Sequence, residues 1–65
     1  MEIEEYLSKY GMTKVGFSRR LGISVSNLHK IVAKSSYPTA ALAQRIVKIT
    51  NGEVTFEDLF KERQK

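Results

Sequence analysis

The feature that most constrains this chain is a glycine, Gly22, between the apolar residues Leu21 and Ile23 and followed at once by Ser24. A glycine past the last turn of a helix takes the left-handed conformation at no steric cost, so Gly22 marks a helix end. Ser24 is placed to cap the next helix, its hydroxyl within reach of the backbone N–H groups of Ser26 or Asn27. The stretch Thr13 to Lys34, TKVGFSRRLGISVSNLHKIVAK, therefore reads as two short helices joined by a tight turn. Phe17, Leu21, Ile23, Leu28 and Ile31 are spaced so that both helices turn a face inward. Ser26, Asn27, His29 and Lys30 are left on the outer surface of the second helix, expected over Val25 to Ala33. A short helix that shows small polar groups outward and is pinned against a neighbour suits the major groove of duplex DNA.

The flanking segments supply scaffold. Ile3, Tyr6, Leu7 and Tyr10 fall at i, i+3, i+4 and i+7, which predicts a first helix over Glu2 to Tyr10 with one apolar stripe. Glu2, Glu4 and Glu5 in its first turn and Lys9 in its last carry the signs the helix dipole favours. Gly11 ends it. Thr13 is the expected cap of the second helix, which runs to Leu21. Gly16 inside that helix costs roughly 1 kcal/mol against alanine and calls for a close approach in compensation. After Lys34-Ser35-Ser36-Tyr37, Pro38 fits a helix start, so a fourth helix opens near Pro38 or Thr39. Leu42, Ile46 and Ile49 are its expected inner face.

Beyond Ile46 the pattern supports two continuations. Asn51-Gly52 between the β-branched runs IVKIT and EVTF is a strong short hairpin signal. In the other continuation Gly52 caps the fourth helix, and Thr55 opens a last one with Asp58 three residues on. That helix places Phe56, Leu59 and Phe60 on one face. TAALAQR leads into the ambiguous run with no turn residue between, so the expected fold is all-α, a compact five-helix domain. The alternative is α+β, with a C-terminal hairpin at Asn51-Gly52. Sixty-five residues allow a single domain, 1–65, with the helix pair at 13–34 and a packing or dimer region at 38–62.

Charge is segregated along the chain. All seven acids lie at the ends: Glu2, Glu4, Glu5, Glu53, Glu57, Asp58 and Glu62. Between Tyr6 and Gly52 stand Lys9, Lys14, Arg19, Arg20, Lys30, Lys34, Arg45 and Lys48, with no acid among them. The basic segment coincides with the helix pair, which makes a polyanion the expected partner. Cysteine is absent, so disulfides and cysteine-ligated zinc are excluded. His29 is the single histidine and builds no metal site alone. No apolar run approaches the roughly 20 residues of a membrane span, and the acidic start is unlike a signal peptide. The expectation is a soluble, intracellular protein without metal or cofactor. There is no glycine-rich phosphate loop and no nucleophile–base pair, so an enzyme is not expected.

The residues from Lys14 to Ile31 resemble the helix-turn-helix of phage Cro proteins and lambda-repressor-like domains. That family places an apolar residue at Phe17, a small one at Ser18, then Leu21, Gly22 and Ile23, a cap at Ser24, and apolar residues at Leu28 and Ile31. The ending TAALAQRIVKITNGEVTFEDL resembles the all-helical Cro proteins; others carry a β-hairpin there. Two positions depart from the pattern. Lys14 stands where many relatives have glutamine, and Val25 where a polar base-reading residue is frequent. The resemblance implies a repressor bound to a pseudo-palindromic DNA operator, in the cytoplasm of a bacterial host at the nucleoid.

On a groove-insertion geometry the base contacts are Val25, Ser26, Asn27, His29 and Lys30. Asn27 suits adenine, Lys30 guanine, and Val25 a thymine methyl. The phosphate contacts are Lys14, Ser24, Lys34, Ser36, Arg19 and Tyr37. Plain competitors stand beside these: Ser26 supporting the cap, Asn27 solvated, Lys30 on phosphate, Arg19 only wetting the surface. One recognition helix reads few base pairs, so a weak homodimer, formed on DNA, is expected through Phe56, Leu59 and Phe60. Those aromatics compete for the chain's own core. The rival function is a protein-interaction module of antitoxin or adaptor type using the same helix pair, which requires an apolar outer face on the second helix. Single-stranded RNA binding asks for aromatics among the cations, and between Tyr10 and Tyr37 only Phe17 is aromatic.

Overall fold

A computed structural model describes residues 1–60, and all the order in it is helical. Helices α1 (Ile3–Tyr10), α2 (Lys14–Leu21), α3 (Val25–Val32), α4 (Ala40–Ile49) and α5 (Phe56–Phe60) follow one another through short turns. No strand occurs among the described residues, so the all-α reading stands and the hairpin at Asn51-Gly52 is not formed. Residues 61 and 62 of the C-terminal region assigned from sequence lie outside the described residues.

Each helix starts on a local cap. Thr13, Ser24 and Thr39 accept from the N–H groups of Gly16, Asn27 and Leu42 at 3.0, 3.1 and 3.2 Å. The Glu2 N–H donates to the Glu5 carboxylate at 3.0 Å, making Glu2 the cap of α1 rather than its first residue. Thr55 and Asp58 form the reciprocal pair at α5: the Thr55 N–H donates to the Asp58 carboxylate at 3.0 Å, and the Asp58 N–H to the Thr55 hydroxyl at 3.2 Å. At Gly16 a methyl group would stand 3.2 Å from Thr13 Oγ1, so the close approach behind this glycine is to its own cap.

The first four helices end alike, with a left-handed residue and a bond reaching back over the last turn. The left-handed residues are Gly11, Gly22, Lys34 and Asn51. For α4, the Asn51 N–H donates to Lys48 O at 3.1 Å and the Gly52 N–H to Val47 O at 2.8 Å. Asn51 at φ 58° and Gly52 at φ 81° both hold positive φ, the requirement that an Asn-Gly hairpin turn shares with this cap. The hairpin signal was thus a true reading of dihedral preference and served a helix end.

Phe17, Leu21, Leu28, Ala43, Ile46 and Val54 are fully enclosed, with Ile3, Leu7, Ile31 and Leu59 closing the core around them. In α4 the deepest residues are Ala43 and Ile46, while Leu42 and Ile49 are partly covered. The expected inner face is thus the one that meets the core, with Ala43 added to it. Tyr10 does not join the core stripe of α1. Its ring packs on Tyr6 with centroids 4.7 Å apart, and its hydroxyl donates to Glu53.

Thr50, at the end of α4, is a buried polar residue that no sequence pattern singled out. Its hydroxyl donates to Ile46 O at 2.8 Å and accepts from the Val54 N–H at 3.2 Å, tying the turn before α5 to α4. Thr50→Val keeps the shape and orphans the Val54 N–H, a loss of about 1–3 kcal/mol. Urea denaturation checks this. A midpoint unchanged from the parent chain would mean that the Val54 amide finds another acceptor.

Candidate nucleic-acid interface

Helix α3 is held by its inner face and by both of its ends. Leu28 and Ile31 enter the core, and α2 packs closely along it. Around the remaining surface Ser26, Asn27, His29 and Lys30 are exposed, with Val25 half-buried at the first turn. The five base-contact candidates thus share one helix, four of them open to solvent. The Ser24 hydroxyl is engaged by the Asn27 backbone N–H, and the Asn27 side chain itself is exposed. An exposed carboxamide presents a donor and an acceptor side by side, the pair an adenine edge answers.

The phosphate candidates divide. Arg19 is exposed at the end of α2, and Ser24 is exposed at the start of α3. Lys14 lies 3.5 Å from Glu4, a loose pair at the surface. Lys34 is a correction. Its Nζ donates to Asp58 O at 2.5 Å and pairs with the Glu2 carboxylate at 2.9 Å, and the side chain is 14% exposed. This lysine anchors the end of α3 to α1 and α5 and is not available to a phosphate. It also holds φ 64°, a left-handed conformation that costs a residue with a Cβ roughly 1 kcal/mol or more, which these anchors offset. Tyr37 is exposed, with its ring 5.9 Å from that of Phe60 on α5. Ser36 is half-buried beside it in the connection.

Of the dimer candidates, Leu59 is also corrected: it is 3% exposed and belongs to this chain's own core. Phe56 and Phe60 are 46% and 42% exposed. The i, i+3, i+4 spacing brings the three near one face, and of that face only Leu59 enters the core.

Folding brings the two acidic ends together and sets them on the lysines nearby. The Met1 amine pairs with Asp58 at 2.5 Å and donates to Glu53 O at 2.9 Å, while Glu53 also takes Lys9 at 2.9 Å. The Tyr10 hydroxyl and Lys9 hold the Glu53 carboxyl below its ordinary pKa, against a smaller opposing effect of burial. Lys9 and Lys34 are thereby occupied, while Lys14 keeps only its loose surface pair with Glu4. Arg19, Arg20, Lys30, Arg45 and Lys48 form no ion pair among the described residues. The structure thus sharpens the segregation visible in the sequence, since uncompensated positive charge remains on α2, α3 and α4.

One residue of this region escaped the sequence. Arg45 Nη1 donates to Leu21 O at 2.8 Å, joining α4 to the end of α2. Its partner is a backbone carbonyl and leaves no side-chain signature at position 21. Among the described residues no three His, Cys, Asp or Glu side chains gather as a metal site would require, and no helix is long and apolar enough to cross a membrane. Comparison with known proteins finds no match to this chain, whether a protein-family model, a curated protein or a solved structure.

Proposed function

We propose that the chain is a sequence-specific DNA-binding transcription regulator, a Cro-like repressor that lays α3 in the major groove of a pseudo-palindromic operator. The observation that carries this reading is the division of α3. It buries Leu28 and Ile31 and offers Ser26, Asn27, His29 and Lys30 to solvent, within a stretch that contains no acid. Groove readers need donors and acceptors on a protruding helix with cations around them. A protein-docking helix would show an apolar outer face, which α3 does not.

In this reading Asn27 takes an adenine, Lys30 a guanine, Val25 a thymine methyl, and Ser26 and His29 complete the edge contacts. Lys14, Arg19, Ser24 and Ser36 hold the backbone. A weak homodimer forms on the operator through Phe56 and Phe60, and the protein works at the bacterial nucleoid. The test is selection from a random duplex pool across a salt series, with sequencing of the bound fraction. A palindrome with half-sites about one helical turn apart supports the reading. Steeply salt-dependent binding without enrichment reduces α3 to a basic surface, and no binding at low salt favours the protein-interaction module. Lys30→Ala is expected to relax preference at one operator position at a cost of about 1–3 kcal/mol for the best site. An equal fall on every sequence, with a shallower salt slope, would make Lys30 a phosphate contact instead.

A further inference from the structure

A reading helix is useful only if its angle to the rest of the domain is fixed, and α3 is eight residues long with its outer face given to solvent. Its inner face supplies Leu28 and Ile31, and Lys34 ties its C-terminal end. The N-terminal end depends on the turn Leu21-Gly22-Ile23. There the Gly22 N–H donates to Arg19 O at 3.1 Å and the Ile23 N–H to Ser18 O at 3.0 Å. Leu21 O lies beyond both bonds, at a helix end where carbonyls lack partners within the helix. Arg45 reaches it from α4 at 2.8 Å. The same nitrogen lies 3.5 Å from where a Cβ on Gly22 would stand, so the guanidinium rests against the bare face of the glycine. Ile46, the next residue along, is fully buried, which fixes the root of the arginine in the core.

We infer that Arg45 is the positioning residue of α3: its guanidinium bridges α4 to the last carbonyl of α2 and sets the angle at which the turn delivers the chain to α3. A cation at a helix C-terminus is favoured by the dipole, and a charged donor makes a stronger bond than a neutral one. Two cations on backbone carbonyls, Arg45 on Leu21 and Lys34 on Asp58, then hold α3 from both ends and leave its outer face unobstructed. The role in selectivity rests on α3 being the reading helix; the role in the turn does not.

Arg45→Ala and Arg45→Lys separate these. Amide hydrogen exchange needs no DNA. In Arg45→Ala the Gly22 and Ile23 amides should lose about tenfold more protection than those of α1, the extra opening being local rather than global. Arg45→Lys, which keeps a cationic donor, should recover most of it. Affinity for the enriched duplex should fall about tenfold, the scale of one mispresented base contact, with random-duplex affinity and salt slope unchanged. Turn protection that follows α1 would overturn the inference whatever happens to DNA binding. Equal loss on both duplexes with a slope lowered by about one would make Arg45 a phosphate contact, and would also overturn it. If the parent chain enriches no sequence, the regulator reading fails by itself, and the turn amides alone decide whether Arg45 sets the turn.

Discussion

Phe17→Ala is expected to leave the chain unfolded in water at room temperature. Phe17 is completely enclosed, on the middle of α2, with its ring 6.0 Å from that of Tyr6 on α1. It belongs to the same buried cluster as Leu21, Leu28, Ala43 and Ile46, a cluster to which α1, α2, α3 and α4 all contribute. Truncating a buried phenylalanine costs about 3–5 kcal/mol, part from lost burial and part from the cavity left behind. A single core in a chain of this size supplies rarely more than about 3–5 kcal/mol in all. The two figures meet, so the variant should show weak far-ultraviolet helical signal and collapsed amide dispersion by NMR. Phe17→Leu fills most of the space and should fold with a lowered urea midpoint. A Phe17→Ala protein that unfolds cooperatively with a midpoint near the parent's would show that the core is not centred on this ring.

The same enclosure explains why so much of the fold is legible in the residues. Thr13, Ser24 and Thr55 announce themselves as caps because their partners stand three residues away, and Gly11 and Gly22 announce ends because the needed dihedral is a property of one residue. Such interactions are local. The exposure of Ser26, Asn27, His29 and Lys30 was legible for the same reason, since it follows from the register set by Leu28 and Ile31. What is not legible depends on contacts far apart in sequence. Lys34 looks like any flanking cation until Glu2 and Asp58 O are brought to it. Leu59 and its neighbours Phe56 and Phe60 share one apolar signature, and only the path of α5 decides which enters the core. Arg45 and Thr50 answer to backbone carbonyls and amides, groups every residue has. Asn51-Gly52 failed as a hairpin for a different reason: two structures ask for the same dihedrals.

Asp58→Asn should cost about 2 kcal/mol at neutral pH and remove most of the acid sensitivity of the fold between about pH 4 and pH 2. The Asp58 carboxylate is where the two ends of the described chain meet. It takes the Met1 amine at 2.5 Å, the Thr55 N–H at 3.0 Å and the Thr55 hydroxyl at 2.9 Å. Partial burial raises its pKa, but the amine and the Thr55 donors outweigh that and bring it from 3.8 down to about 2. Because the folded value is the lower one, the unfolded chain binds the proton more readily. The stabilisation is therefore complete above the unfolded pKa and disappears as pH falls through the window to about 2. Glu53, also lowered, adds to the slope in the same direction. Loss of the carboxylate should release α5 first, since this group closes its capping pair and a five-residue helix has no stability of its own. Releasing α5 withdraws Leu59 from the core and frees Lys34 from Asp58 O, so the end of α3 loosens with it. Urea midpoints of parent and variant from pH 7 to pH 2 check the energetics, and exchange at the Lys34 and Ser35 amides checks the link to α3. If the two midpoint curves run parallel below pH 4, the charge on Asp58 does not hold the ends together. If the curves converge while those two amides stay protected, α5 comes away alone and α3 keeps its place without it.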